Sequence, residues 1–175
     1  MSHRQVLGDL SMIPTEELEN AQLTRSLTRA HLNELARMAS LRECAEGTVL
    51  FEEGQDSPVV YCVLRGVVSL QVEEPCGELV EIDTVGEGEL LGWSPLFRRH
   101  AMTASAHAAT DCRLAVFEVK RILALLERDP SFGLHFLSQV GLQVSDRLRH
   151  TRRALAVVRT LTHHSPYALR HEGSD

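Results

Sequence analysis

The chain has 175 residues, 43% of them hydrophobic, and a formal net charge of −6. That length and apolar content suit one domain with an appendage, and they supply a sizeable core. No apolar run approaches the ~18 residues of a membrane span and no export signal is present, so a cytoplasmic protein with no membrane partner is expected.

Charge is unevenly placed. Between Arg42 and Gly92 there are twelve acidic residues and two basic ones, whereas Arg147 to Arg170 carries six arginines and no acid. The acidic stretch repels nucleic-acid phosphates. Four cysteines, Cys44, Cys62, Cys76 and Cys112, show no CxxC or other ligand spacing. They read as ordinary reduced residues.

Met1 to Ser11 is polar, and residues 1–13 are expected to be loose. Pro14, Glu16 and Glu17 put a proline and two acids where a first helical turn favours them, with Leu18 and Leu23 on that short helix. Residues 28–39 predict a second helix, with Leu32, Leu35, Ala36 and Met38 or Ala39 at helical spacing and Thr28 as its cap. From Leu41 the period changes to two. Strands are predicted over 48–51, 59–64, 67–72 and 78–85, with turns at Glu46-Gly47, Glu53 to Asp56, Arg65-Gly66 and Glu73 to Gly77. Short strands with glycine turns at this spacing predict a sandwich or roll.

The next stretch, Gly86 to Ala108, reads GEGELLGWSPLFRRHAMTASAHA. Gly88, Leu91 and Gly92 precede a Trp93-Ser94-Pro95-Leu96-Phe97 knot, and Thr103-Ala104-Ser105-Ala106 is strand-like again. Small residues beside a short helical turn let backbone N–H groups approach an anion closely. The stretch resembles the phosphate-binding cassette of the cyclic nucleotide-binding domain in the catabolite activator protein family. That cassette reads roughly Gly-x-x-x-Gly-Glu-Leu, a loop, then Arg-Ser/Thr-Ala-x-Val-x-Ala. The phrases from Glu46 to Gly54 and from Tyr61 to Val68 are similar to the same family, so the likeness runs from about Leu32 to Leu161. It implies a mainly β fold with flanking helices: a double-stranded β-helix, or jelly-roll-like β-roll, with N-terminal helices and a long C-terminal dimerisation helix. It also implies that a carboxylate takes a ribose hydroxyl and an arginine takes a cyclic phosphate.

The cassette departs from that pattern. With Gly88 and Gly92 aligned to the two glycines, Thr103, Ala104, Ala106 and Ala108 fall on the small residues beyond the loop. The ribose carboxylate is then replaced by Trp93 and the phosphate arginine by Met102. A rival register gives the two roles to Glu89 and Arg99, but it moves the following strand three residues out of step. An odd slip inverts the faces of a strand, so the first register is preferred. Its ligand-binding set is Gly88, Leu91, Gly92, Trp93, Ser94, Met102, Thr103 and Ala104; the rival adds Glu89 and Arg99. For Trp93 a core-anchoring role competes with ligand stacking, and Arg98, Arg99 and His100 read by default as a solvated basic loop.

After a strand over 113–117 and a helix over 118–128, Asp129-Pro130-Ser131 is a break, with Ser131 as the next cap. In the final helix Leu134, Leu137, Gly141, Val144, Leu148, Thr151, Leu155, Val158 and Thr162 recur at alternating intervals of three and four. Such a heptad seam predicts a homodimer through Leu137, Val144, Leu148, Leu155 and Val158, while Phe136 and Val140 face the roll. The predicted organisation is a loose 1–13, a β-roll with flanking helices over 14–130, a coiled-coil-like helix over 131–163 and a flexible tail over 164–175. About a dozen residues follow Leu161, too few for a recognition helix, so no sequence-specific nucleic-acid binding is expected.

No catalytic constellation is found. Ser94 lacks a His/Asp partner pattern, and the nine histidines, His107 and His163-His164 among them, lack the spacing of a metal site. The expectation is a non-enzymatic ligand-sensing or regulatory module without a required cofactor or metal. Its ligand would be a weakly bound cyclic nucleotide or another small molecule, and it would act on an unidentified protein partner. A degenerate scaffold working by protein–protein contact is the alternative. A metal-dependent cupin-type enzyme is disfavoured by the histidine spacing.

Overall fold

The computed structural model describes residues 13–97 and 101–163, apart from the side chains of 154 and 157–163. The expectations for 1–12, for Arg98, Arg99 and His100, for the tail 164–175 and for the side chains of Val158 and Thr162 lie outside the described residues.

Helix α1 (Thr15–Glu19) follows Pro14. A 3₁₀ turn at Gln22–Thr24 comes next, because Ala21 is extended (φ −68°, ψ 140°) and breaks the chain there. Leu23 therefore sits on that turn and not on the helix with Leu18. Helix α2 (Arg29–Met38) is capped as expected, with Thr28 Oγ1 accepting from the His31 amide. Ala39 is extended and opens β1, so the helix ends one residue sooner than its apolar spacing predicts.

The strands are β1 (Ala39–Cys44), β2 (Val49–Phe51), β3 (Val59–Arg65), β4 (Val68–Glu73), β5 (Leu79–Val85), β6 (Leu90–Leu91), β7 (Ser105–Ala108) and β8 (Cys112–Glu118). Among the described residues they form two four-stranded sheets, ordered β1-β8-β3-β6 and β2-β7-β4-β5. Every pairing is antiparallel, and register shifts interrupt β2/β7, β3/β8 and β4/β5. Such irregularities bend strands and help two sheets close into a roll. Gly66 sits in the β3–β4 turn at φ +94°, where a Cβ would lie 2.5 Å from the Asp111 carbonyl, so only glycine fits.

Two cores result. Phe51, Tyr61, Val63, Leu70, Leu91, Met102, Ala106 and Leu114 fill the space between the sheets. Leu18, Leu35, Val60, Cys62, Leu90, Ile122, Phe132 and Phe136 fill the layer between the first sheet and the helices. The burial of β3 from Val59 to Val63 follows from its place between both cores.

Helices α3 (Val119–Arg128) and α4 (Pro130–His163) close the chain. Asp129, and not Ser131, caps α4: its Oδ1 accepts from the Phe132 amide at 3.0 Å. Pro130 fits the first helical position because it has no N–H to satisfy and its φ is already helical, so the helix starts one residue before the predicted point. The inward stripe of α4 is Phe132, Phe136, Val140 and Gln143, all buried. Asp129 Oδ2 also accepts from His31 Nε2 at 3.2 Å, and the His31 ring meets Phe132 edge-on at 5.6 Å, tying α2 to the start of α4.

The Phe132 amide, then the neighbouring His31, holds the Asp129 carboxyl below its ordinary value of 3.8. A lowered folded-state value adds stability above the unfolded value and loses it as pH falls. Asp129→Asn should therefore melt below wild type at neutral pH, with the gap closing as pH drops below about 4. Thermal melts of both proteins from neutral to acid pH check this.

Candidate ligand site

The described residues between Gly86 and Ala108 contribute to both cores. At the start of this stretch Glu89 Oε2 accepts from the Gly86 amide at 2.8 Å and closes its own turn. Gly88 (φ +80°) donates to the Val63 carbonyl at 2.8 Å and accepts from the Gln22 amide at 2.8 Å. A Cβ there would lie 3.0 Å from the Gln22 nitrogen, so Gly88 is turned toward the N-terminal 3₁₀ segment and away from the roll interior.

Strand β6 then divides its two residues, Leu90 into the helical layer and Leu91 into the roll. Gly92 (φ +70°) is packed from inside the roll. A Cβ on it would lie 3.1 Å from Met102 Cε, 3.3 Å from Phe51 Cε1 and 3.6 Å from Tyr61 Cδ2. Trp93 packs against the helical-layer core and meets Phe97 edge-on at 6.1 Å, an anchoring position. Ser94 is buried at the start of a 3₁₀ turn, Ser94–Phe97.

On the return, the Met102 amide donates to the Gln55 carbonyl at 2.9 Å, and its own carbonyl accepts from the Gly54 amide at 2.8 Å. Met102, Ala104, Ala106 and Ala108 are buried and alternate with exposed Thr103 and half-buried His107; Ser105 is buried and accepts from the Glu53 amide. Met102 is only 3% exposed. The structure thus brings Gly92, Met102 and Leu91 together in the roll interior, and sets Gly88, Trp93 and Glu89 elsewhere. Arg99 lies outside the described residues.

Three neighbours were not picked out from sequence. Phe51 and Tyr61 stack at 6.0 Å beside Gly92. Arg42 reaches in from β1, donating through Nη1 to Tyr61 Oη at 3.3 Å, with its guanidinium carbon 5.9 Å from the ring centroid. Burial raises the Tyr61 phenol above its ordinary value, against the opposing pull of Arg42. Arg42 makes no ion pair with a described carboxylate. Strand alternation with Cys44 was the signal that could have placed Arg42 inside.

Helix α4 is joined to this stretch by one polar contact and to the neighbouring β5 by another. Gln143 Oε1 accepts from the Leu90 amide at 2.8 Å, and its Nε2 has no partner among the described residues. One turn on, Arg147 Nε donates to Asp83 Oδ2 at 2.8 Å across to β5. Among the described residues no three His, Cys, Asp or Glu are grouped to hold a metal, and no helix is long and apolar enough to cross a membrane.

A β-roll, a short 3₁₀ turn inside its glycine-bracketed loop and a helix wired to that loop define a cyclic-nucleotide-binding type of domain. The family model of the cyclic nucleotide-binding domain matches residues 41–129, just over half of the chain, and the chain belongs to that family. It is 26% identical over 149 residues to the CRP-like protein Clp of Xanthomonas campestris, covering 84% of this chain and 64% of that one. It is 28% identical over 103 residues to the lysophospholipase nte1 of Neosartorya fischeri, covering 59% of this chain but only 6% of that protein. The N-terminal domain of a transcriptional regulator from Streptomyces coelicolor A3(2) superposes with a TM-score of 0.63 at 27% identity, covering 74% of this chain and 93% of that one. The chain thus spans less than two thirds of the length of these curated relatives.

Replacing Gln143 by Leu leaves the buried Leu90 amide without its acceptor, a loss of about 1–3 kcal/mol. Urea unfolding should show that loss in the midpoint with an unchanged slope.

Proposed function

We propose that this chain is a non-enzymatic regulatory module of the cyclic nucleotide-binding type in which cAMP and cGMP bind weakly or not at all, working as a homodimer through α4. The burial of Met102 against Gly92 carries the reading. In the preferred register Met102 stands where the family has its phosphate arginine, and it is buried with its methyl against Gly92, where it offers no charge to a phosphate. Trp93 stands at the ribose carboxylate position and packs into the helical layer. The rival register is disfavoured by the engagement of Glu89 with its own turn. The names of the similar proteins, a CRP-like protein and a transcriptional regulator's N-terminal domain, support a regulatory role.

Two lost hydrogen bonds to charged groups, at about 1.5–3 kcal/mol each, take away about 3–6 kcal/mol. That is two to four orders of magnitude in affinity. Calorimetry on wild type should show no micromolar binding of cAMP or cGMP, and Arg99→Ala should change nothing. Micromolar binding that disappears in Arg99→Ala would overturn both the register and the reading.

Dimerisation rests on the outer face of α4. Leu137, Leu148 and Leu155 are 41%, 47% and 64% exposed in the single chain. Val144, placed in the same seam from sequence, is half-buried against the chain's own helical core. An apolar row of this kind is covered at low cost by its own symmetry mate. An occupant of the roll that shifts β6 would pull on α4 through Gln143, which gives the signal a route to the dimer. Leu148→Asp should turn a dimer into monomer in sedimentation velocity at micromolar concentration, with little change in the folded roll by circular dichroism. A monomeric wild type would refute the dimer.

A further inference from the structure

Cys44 ends β1, Cys112 begins β8, and the two stand opposite each other in the antiparallel ladder. Both lie on the roll side of the sheet, Cys112 within the interior core and Cys44 packed against it. Both are free thiols. Opposed residues in such a ladder hold their Cβ atoms ~4.5–5.5 Å apart, and a disulfide wants ~3.5–4.5 Å. An approach of about 1 Å closes the gap. Cys44 Sγ already lies 3.9 Å from the Cys112 carbonyl oxygen, while Cys112 Sγ contacts the carbonyls of Val67 and Thr110 at 3.3 Å. The pair opens onto a cleft of about 430 Å³ that Glu43, Ala45, Arg65, Asp111 and Arg113 complete, so a small oxidant can reach it.

We propose that Cys44 and Cys112 are a cross-strand redox pair, in which a peroxide closes a disulfide that staples β1 to β8. The Cys44 thiolate attacks one peroxide oxygen; the O–O bond breaks, giving Cys44 sulfenic acid and, with a proton, water. The Cys112 sulfur then attacks the Cys44 sulfur; the S–S bond forms, the S–O bond breaks, and the hydroxyl leaves as water with the Cys112 proton. Two thiols and one peroxide give one disulfide and two waters, the sulfurs oxidised and the peroxide oxygens reduced.

Burial, then the facing Cys112, raises the Cys44 thiol above its ordinary value; Arg42 opposes this and Asp111 adds to it. The thiolate is scarce, so the pair responds to sustained oxidant and not to brief exposure. The staple joins residues 68 positions apart and encloses β2 to β7 with the cassette loop. Closing so long a loop restricts the unfolded chain and also holds an edge strand of the first sheet in place.

The test uses the full chain carrying Cys76→Ser, which removes the exposed thiol that could cross-link copies. After excess hydrogen peroxide, free thiols counted in denaturant should fall from three to one, leaving Cys62. Peptide mapping should find Cys44 joined to Cys112, dithiothreitol should restore both thiols, and the melting temperature should rise by roughly 5–10 °C on oxidation. Adding Cys44→Ser should abolish the rise. If that variant fails to fold, the peptide map alone decides. Oxidation ending at a Cys44 sulfinic or sulfonic acid with no cross-linked peptide, or a melting shift that survives Cys44→Ser, overturns the proposal.

Discussion

The inner strands of the first sheet, β3 and β8, are buried on both faces over most of their length, and most other features follow from that constraint. Val59, Val60, Tyr61, Cys62 and Val63 are all fully buried, yet they serve different cores. The odd-numbered three line the roll, and the even-numbered two meet the helices. A strand with successive side chains on opposite faces cannot slip by one residue without exchanging its two cores. The same parity sends Leu90 outward to the helices and Leu91 inward. It places Arg42 and Cys44 on the roll side of β1, and a like alternation on the second sheet puts Met102, Ala106 and Ala108 in the interior core.

The helical layer is held to this sheet by few but specific polar contacts. Arg113 makes a two-pronged pair with Glu17, at 2.9 and 3.0 Å, and reaches Glu43 at 2.6 Å, fastening α1 over β8 and β1. Arg128 pairs with Glu34, and Arg29 with Glu19, in more exposed settings where such pairs contribute little. Gln143 is different in kind: a buried amide within an apolar stripe, bonded to the backbone of β6. A helix packed only through Phe132, Phe136 and Val140 could rotate or slide by small amounts. The directional bond to Leu90 and the Arg147–Asp83 pair fix its register against β6 and β5. The chain thereby keeps one face of α4 for the roll and leaves the other apolar and open.

Much of this was legible in the sequence because it depends on local pattern. The Thr28 cap, the change of period near Leu41, the glycine turns and the three-and-four spacing of α4 each correspond to an element found in place. The family assignment rested on the order of several weak phrases, and the fold and the family model agree with it. The misplaced boundaries have local physical reasons too. Ala21 is extended, so Leu23 left α1; Ala39 is extended, so α2 ended early; Pro130 accepted the first helical position, so Asp129 became the cap.

By itself, the sequence determined the class of fold, the helices and six of the eight strands; β1 and the two-residue β6 carry too little alternation to be read locally. The legible elements depend on periodicity and residue identity, which are properties of neighbours along the chain. Only the tertiary structure decided which way the described residues of the cassette face: Gly88 toward the N-terminal turn, Trp93 into the helical layer, Gly92 against Met102, Phe51 and Tyr61. It alone brought Arg42 to Tyr61, Gln143 to Leu90 and Cys44 opposite Cys112, because each pair joins segments far apart in sequence. Their meeting is fixed by sheet order and strand register, and no spacing within a short window encodes it.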